Sequence, residues 1–80
     1  MNRSDVLDRI QNIFHTVLDN ELIILSESTT TEDVEEWDSL THVQIIVDVE
    51  KEFQIKFTSK EILEWNNIGE MMDCIEKKRL

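Results

Sequence analysis

Between Val6 and Leu18 the apolar side chains fall at Val6, Leu7, Ile10, Ile13, Phe14, Val17 and Leu18. That spacing of three or four lines one face of a helix and neither face of a strand. The whole chain contains one glycine and no proline, so little in it interrupts helices. The fold class this predicts is all-α. Ser4, just ahead of the stripe, is the expected N-cap of the first helix.

Residues 20 to 37 lose the period. Leu22 to Leu25 form a short apolar patch, and "SESTTTED" then supplies cap-forming and acidic residues without a core face. The expected structure is a long connection pinned by Leu22, Ile24, Val34 and Trp37. A second helix starts at Asp38 or Ser39 and runs to about Phe53, where "QIKF" breaks the pattern. Thr58 and Glu61 make a capping box that opens a short third helix through Ile62, Leu63 and Trp65. Asn66 and Asn67 interrupt the chain. A last helix carries Ile68, Met71, Met72 and Ile75 inward and ends in "EKKR", whose cations suit the negative end of the helix dipole.

Eighty residues support one core, so residues 1–80 are expected to form a single domain, a small four-helix bundle with a long connection between helices one and two and a short third helix. The expected core contains Leu7, Ile10, Phe14, Leu18, Val43, Ile46, Val49, Phe53, Ile62, Leu63, Ile68, Met72 and Ile75. In the second helix, Val43, Ile46, Val49 and Phe53 span an arc of about 120°, which Ile45 widens. Leu40 and Val47 lie off that arc beside Gln44 and Lys51, and are expected to be at least partly exposed. Thr41, Asp48 and Glu52 frame them, with Glu35, Glu36 and Asp38 just upstream. Such a face suits docking on a cationic protein surface, where charge steers the encounter and the aliphatics contribute desolvation.

At the seam between the acidic run and the second helix stands "EEWDSLTHV", with Ser39 between Asp38 and Leu40. Taken alone, "DSL" is a capping motif: Asp38 accepts from first-turn amides and Ser39 follows it. In this chain it comes after a long connection, opens the second of four helices and is followed one helix-length later by "EKEFQIKF" and then "NNIGEMMDCIE". These residues together resemble the acyl carrier protein family, most strongly over residues 33 to 76. The resemblance implies that Ser39 is the attachment point of 4′-phosphopantetheine, and that the chain carries acyl, aminoacyl or ketide groups as thioesters for separate enzymes. It is then not itself an enzyme. Thr41 and Gln44 stand where many members have acids, Trp37 lies in the preceding loop, and Lys51 enters an otherwise acidic stretch. These departures point to a dedicated biosynthetic pathway rather than the general fatty-acid system.

A phosphodiester on Ser39 would lie at a helix N-terminus, where unpaired amides and the dipole favour an anion. The partners implied are a phosphopantetheinyl transferase and acyl-loading and acyl-transferring enzymes with basic docking surfaces, contacted through Asp38, Leu40, Thr41, Gln44, Val47 and Asp48. An acyl chain folding back would enter near Val43, Ile46, Ile62 and Leu63. With 18 acidic against 8 basic side chains the formal charge is −10, which repels nucleic acid and anionic membrane surfaces. The lone Cys74, with no signal segment near Met1 and no transmembrane stretch, fits the reducing cytoplasm, and the chain is expected to be a monomer.

Other chemistry is poorly served. Ser39 and His42 are three apart, but a nucleophile and base need an orienting third group and an oxyanion site. His42 falls toward the core side and is expected to pack near Trp37, His15 to lie on the surface, and Met71 and Met72 to keep one edge exposed. One cysteine and two distant histidines make no zinc set, and the acidic loop lacks calcium-loop spacing. An unmodified acidic adaptor, binding a partner through helix two, remains the alternative; in it the Ser39 hydroxyl would have no consequence.

Overall fold

The computed structural model describes residues 1–79. Its elements are α1 (Arg3–Val17), α2 (Ser39–Phe53), α3 (Ser59–Glu64) and α4 (Ile68–Lys78), an all-helical arrangement among the described residues. Each helix starts where a short polar side chain satisfies free amides. Asp38 caps α2, Thr58 caps α3 in a reciprocal box with Glu61, and Asn67 caps α4 by accepting from the Glu70 N–H. The α1 cap is Asn2 rather than Ser4. Asn2 accepts from the Asp5 N–H and Asp5 accepts back from the Asn2 N–H, a reciprocity Ser4 lacks because Leu7 stands three residues beyond it. The end of α2 is equally local: Gln54 turns left-handed at φ 55° and its N–H closes on the Glu50 carbonyl.

The core gathers Val6, Ile10, Phe14 and Leu18 of α1 and its cap, Ile45, Val49 and Phe53 of α2, and Ile68, Met71, Met72 and Ile75 of α4. Leu25, Val34 and Trp37 of the connection close it. Trp37 meets Phe14 edge to face at 4.8 Å between ring centres, a geometry the ring quadrupoles favour.

Several expectations about burial are corrected. Val43 is 60% exposed and Leu63 85%, and Ile62 is half-buried, whereas Ile45, expected to widen the core arc, is fully buried. At about 100° per residue the buried face of α2 is turned by about 50° from the arc inferred from periodicity. The reason is its neighbours: α2 packs chiefly on α1, and α3 buries no residue at all. Leu7 is half-buried against the core, and Met71 and Met72 show no exposed edge.

The connection is pinned differently from expectation. Leu22 and Ile24 are 87% and 85% exposed, whereas Leu25 is buried and Ile23 half-buried. Side chains alternate across an extended segment, so only every second one can reach the core. His15, expected on the surface, is half-buried and its Nε2–H donates to the Ile23 carbonyl at 2.6 Å. Gln11 accepts from the Leu25 N–H at 2.8 Å. Farther on, the carbonyls of Thr29 and Glu27 accept from the Ile68 and Gly69 amides, at 3.0 and 2.8 Å. The connection thereby caps the start of α4. It comes so close that a Cβ on Gly69 would lie 3.0 Å from the Glu27 oxygen, which explains the glycine. Arg3 reinforces this join by pairing with Glu27, Asp73 and Glu76 and donating to the Gly69 carbonyl.

Candidate functional site

Asp38 fixes the entry to α2. Its Oδ1 accepts from the N–H groups of Leu40 and Thr41, both at 3.0 Å, and its carbonyl accepts from the His42 N–H. The Thr41 hydroxyl reaches back to accept from the Asp38 N–H at 2.9 Å and donates to the Glu36 carbonyl. These bonds, the Thr41 amide first, hold the Asp38 carboxyl below its ordinary range, so it is ionised in use.

Ser39 follows directly and is exposed. Among the described residues its hydroxyl has no hydrogen-bond partner, and of the first four amides of α2 only its own N–H is free. This corrects the picture of an open anion site: the Asp38 carboxylate and carbonyl already occupy three of the four amides. The hydroxyl is instead offered to solvent on a rigid first turn, with a carboxylate beside it.

Behind the turn, Trp37 is buried and its Nε1–H donates to His42 Nδ1 at 2.9 Å. An accepting Nδ1 requires neutral His42 with its proton on Nε2, and burial pushes its pKa down. His42 thus packs near Trp37 as expected and is committed as an acceptor there. It is held in place by the tryptophan and not presented to Ser39 as a base.

Beyond Ser39, α2 presents Leu40 at 81% exposure, Val43 at 60% and Val47 at 37%, with Gln44 exposed and Asp48 partly exposed. Gln44 donates to Asp48 one turn on at 3.1 Å. Leu40, Gln44, Val47 and Asp48 therefore share an accessible face, to which the structure adds Val43. Sequence reasoning missed Val43 because its spacing fits the core arc as well as the outer one. Of the residues considered for a folded-back acyl chain, Ile46 is buried, Ile62 half-buried, and Val43 and Leu63 face solvent. Among the described residues no cluster of three or more metal-ligating side chains occurs, and no helix is long and apolar enough to cross a membrane.

The family described as "Phosphopantetheine attachment site" matches residues 8–75, from the middle of α1 to near the end of α4. The chain belongs to this family. The carrier is also similar to the solution structure of a holo acyl carrier protein from Geobacter metallireducens. The two are 37% identical, with a TM-score of 0.85 over 91% of this chain and 84% of that one. No curated protein matches the carrier. The resemblance to the acyl carrier protein family is borne out, and with it the family's covalently attached cofactor, 4′-phosphopantetheine, and the role of a carrier rather than an enzyme. Family members act with a phosphopantetheinyl transferase and with acyl-handling enzymes.

Proposed function

We propose that Ser39 is the residue modified, that residues 1–80 act as a single monomeric carrier domain in the cytoplasm, and that the carrier serves a dedicated pathway. The observation that carries the assignment of Ser39 is its exposed hydroxyl, free of any partner among the described residues, on the first turn of α2 inside "WDSL". A transferase must reach this oxygen and take its proton. Neither polar neighbour competes for it, because Asp38 is engaged with backbone amides and His42 with Trp37.

The residues fit the group. An exposed primary hydroxyl on a capped helix is accessible to an enzyme and stays put while the arm is attached. When bound, phosphopantetheine supplies a terminal thiol that forms thioesters, chemistry for which the chain's own half-buried Cys74 is ill suited, since burial pushes its thiol up. With one free amide and a neighbouring carboxylate at the helix end, the covalent bond rather than helix-end electrostatics holds the phosphate.

The partner face proposed is Asp38, Leu40, Thr41, Gln44, Val47 and Asp48, now with Val43. Thr41 contributes by shaping the cap rather than by contact, since its hydroxyl is engaged with Asp38 and Glu36. Partners with basic surfaces fit it. A dedicated pathway is supported by neutral Thr41 and Gln44 in this face, which leave its first turn without acids after Asp38.

Incubation with coenzyme A and a broad-specificity phosphopantetheinyl transferase tests the assignment by intact mass. The unsubstituted carrier is expected to gain one phosphopantetheine, and Ser39→Ala none, with stability moved by about 0.5 kcal/mol or less. Undiminished modification of Ser39→Ala would place the site elsewhere.

A further inference from the structure

The apolar patch at Leu22 and Ile24 has no role in the core or at Ser39. Both side chains are almost fully exposed, although Ile23 and Leu25 between and beside them turn inward. The segment is held from several sides. His15 donates to the Ile23 carbonyl, Gln11 accepts from the Leu25 amide, and Asn20 accepts from the Leu22 amide while donating to Glu36. Two branched aliphatics are therefore presented on a backbone that needs little ordering when something binds. Among the described residues the Ile24 N–H and carbonyl have no partner either.

These aliphatics line a groove of about 400 Å³ whose other wall is Val34 with Asp33, Glu35 and Glu36. The charge around it is one-sided. All eight Lys and Arg lie outside residues 10–50, so the formal charge of −10 falls within that stretch, which contains the connection and the first three turns of α2.

We propose that the Leu22–Leu25 segment and the acidic edge at Asp33, Glu35 and Glu36 form a second docking surface, separate from the α2 face. Its occupant is a partner-protein surface bearing an aliphatic or aromatic side chain flanked by lysine or arginine. Charge complementarity selects this occupant: a second copy would bring the same acids, and an anionic membrane would be repelled. Glu36 is three residues from Ser39, at most about 11 Å along the chain, so a partner seated here reaches the neighbourhood of the attachment turn. The proposal does not depend on Ser39 being the modified residue.

The test is an NMR titration of the isotope-labelled full chain with a synthetic amphipathic helix of leucine and lysine, against a control helix with glutamate in place of lysine. The lysine peptide is expected to shift the amides of Leu22, Ile24, Glu35 and Glu36. The double variant Leu22→Ser with Ile24→Ser should weaken Kd at least about tenfold with melting unchanged, since burying even one aliphatic contributes more than that factor. Glu35→Lys should weaken it as well. Shifts confined to α2, equal affinity of the double variant, or equal binding of the glutamate peptide would overturn the proposal. So would loop shifts that arise from protein concentration alone, or from phosphatidylcholine vesicles in place of the peptide.

Discussion

The indole of Trp37 donates to Nδ1 of His42 across 2.9 Å while its ring packs edge-on against Phe14, so one side chain joins the first turn of α2 to α1. The bond exists only with neutral His42. Burial places the folded pKa of His42 below 6.5. In the unfolded chain it titrates near 6.5, so the unfolded state takes up the proton first as pH falls. Stability from this site is complete above about 6.5 and declines as pH drops toward the depressed folded value. Urea melts between pH 7.5 and 5.5 should show a falling midpoint for the unsubstituted carrier and a shallower fall for His42→Gln, which keeps an acceptor but cannot titrate. Parallel slopes would show that His42 is not coupled to folding.

Gly69 is expected to be intolerant of a side chain. A Cβ there meets the Glu27 carbonyl that accepts from its own N–H, so relief requires moving the connection off α4. Gly69→Ala should lower stability by about 1 to 3 kcal/mol, more than offsetting the roughly 1 kcal/mol by which alanine favours a helix. Denaturant melts measure it, and a gain in stability would mean the connection is loosely held.

Phe14 and Phe53 are both buried to within 1%, one from each of the two helices that pack most closely. Truncating either to alanine should remove about 3 to 5 kcal/mol, a large share of the 5 to 15 kcal/mol typical of a folded domain. Loss of cooperative melting by circular dichroism is the expected readout in at least one. Little-shifted cooperative transitions in both would contradict the packing.

On the α2 face, Val47→Asp should leave melting nearly unchanged, because Val47 is 37% exposed, yet slow transfer by placing a charge in the contact. Asp48→Lys should act on association rate, and its defect should shrink as salt rises and the Debye length falls from about 10 Å at 0.1 M to about 3 Å at 1 M. Stopped-flow binding to a phosphopantetheinyl transferase at both ionic strengths compares them. A salt-independent Asp48→Lys defect would remove steering from the explanation.

Glu61 provides an acid-range marker. The Thr58 amide and Lys78 pull its pKa down to about 2 from 4.5, so the capping box contributes stability above about 4.5 that is lost as pH falls toward 2. Glu61→Gln should flatten that part of the acid melting curve, read by helicity. An unchanged curve would show that the box is not retained in solution.

The helix starts were legible because their signals are local. Asp38 with Thr41 and Thr58 with Glu61 are partners three residues apart, and a cap depends on little beyond them. The stripes of α1 and α4 were legible because each matches one dominant buried face, and the exposure of Ser39 because it is placed by its own turn. Asn2 was legible too, in its spacing to Asp5, and was passed over for Ser4. The rotation of α2 was not legible. Val43 and Ile45 are equally apolar, and only the position of α1, with α3 burying nothing, decides that Ile45 goes in and Val43 stays out. The same holds for the connection, where Leu22, Ile23, Ile24 and Leu25 have nearly equal hydrophobicity and His15 and Gln11 set which pair faces inward. The contact of Gly69 with Glu27 spans more than half the chain. Hydrogen bonds between near neighbours are written in short sequence patterns, whereas burial depends on which distant element arrives to exclude water, and that is decided only when the helices pack.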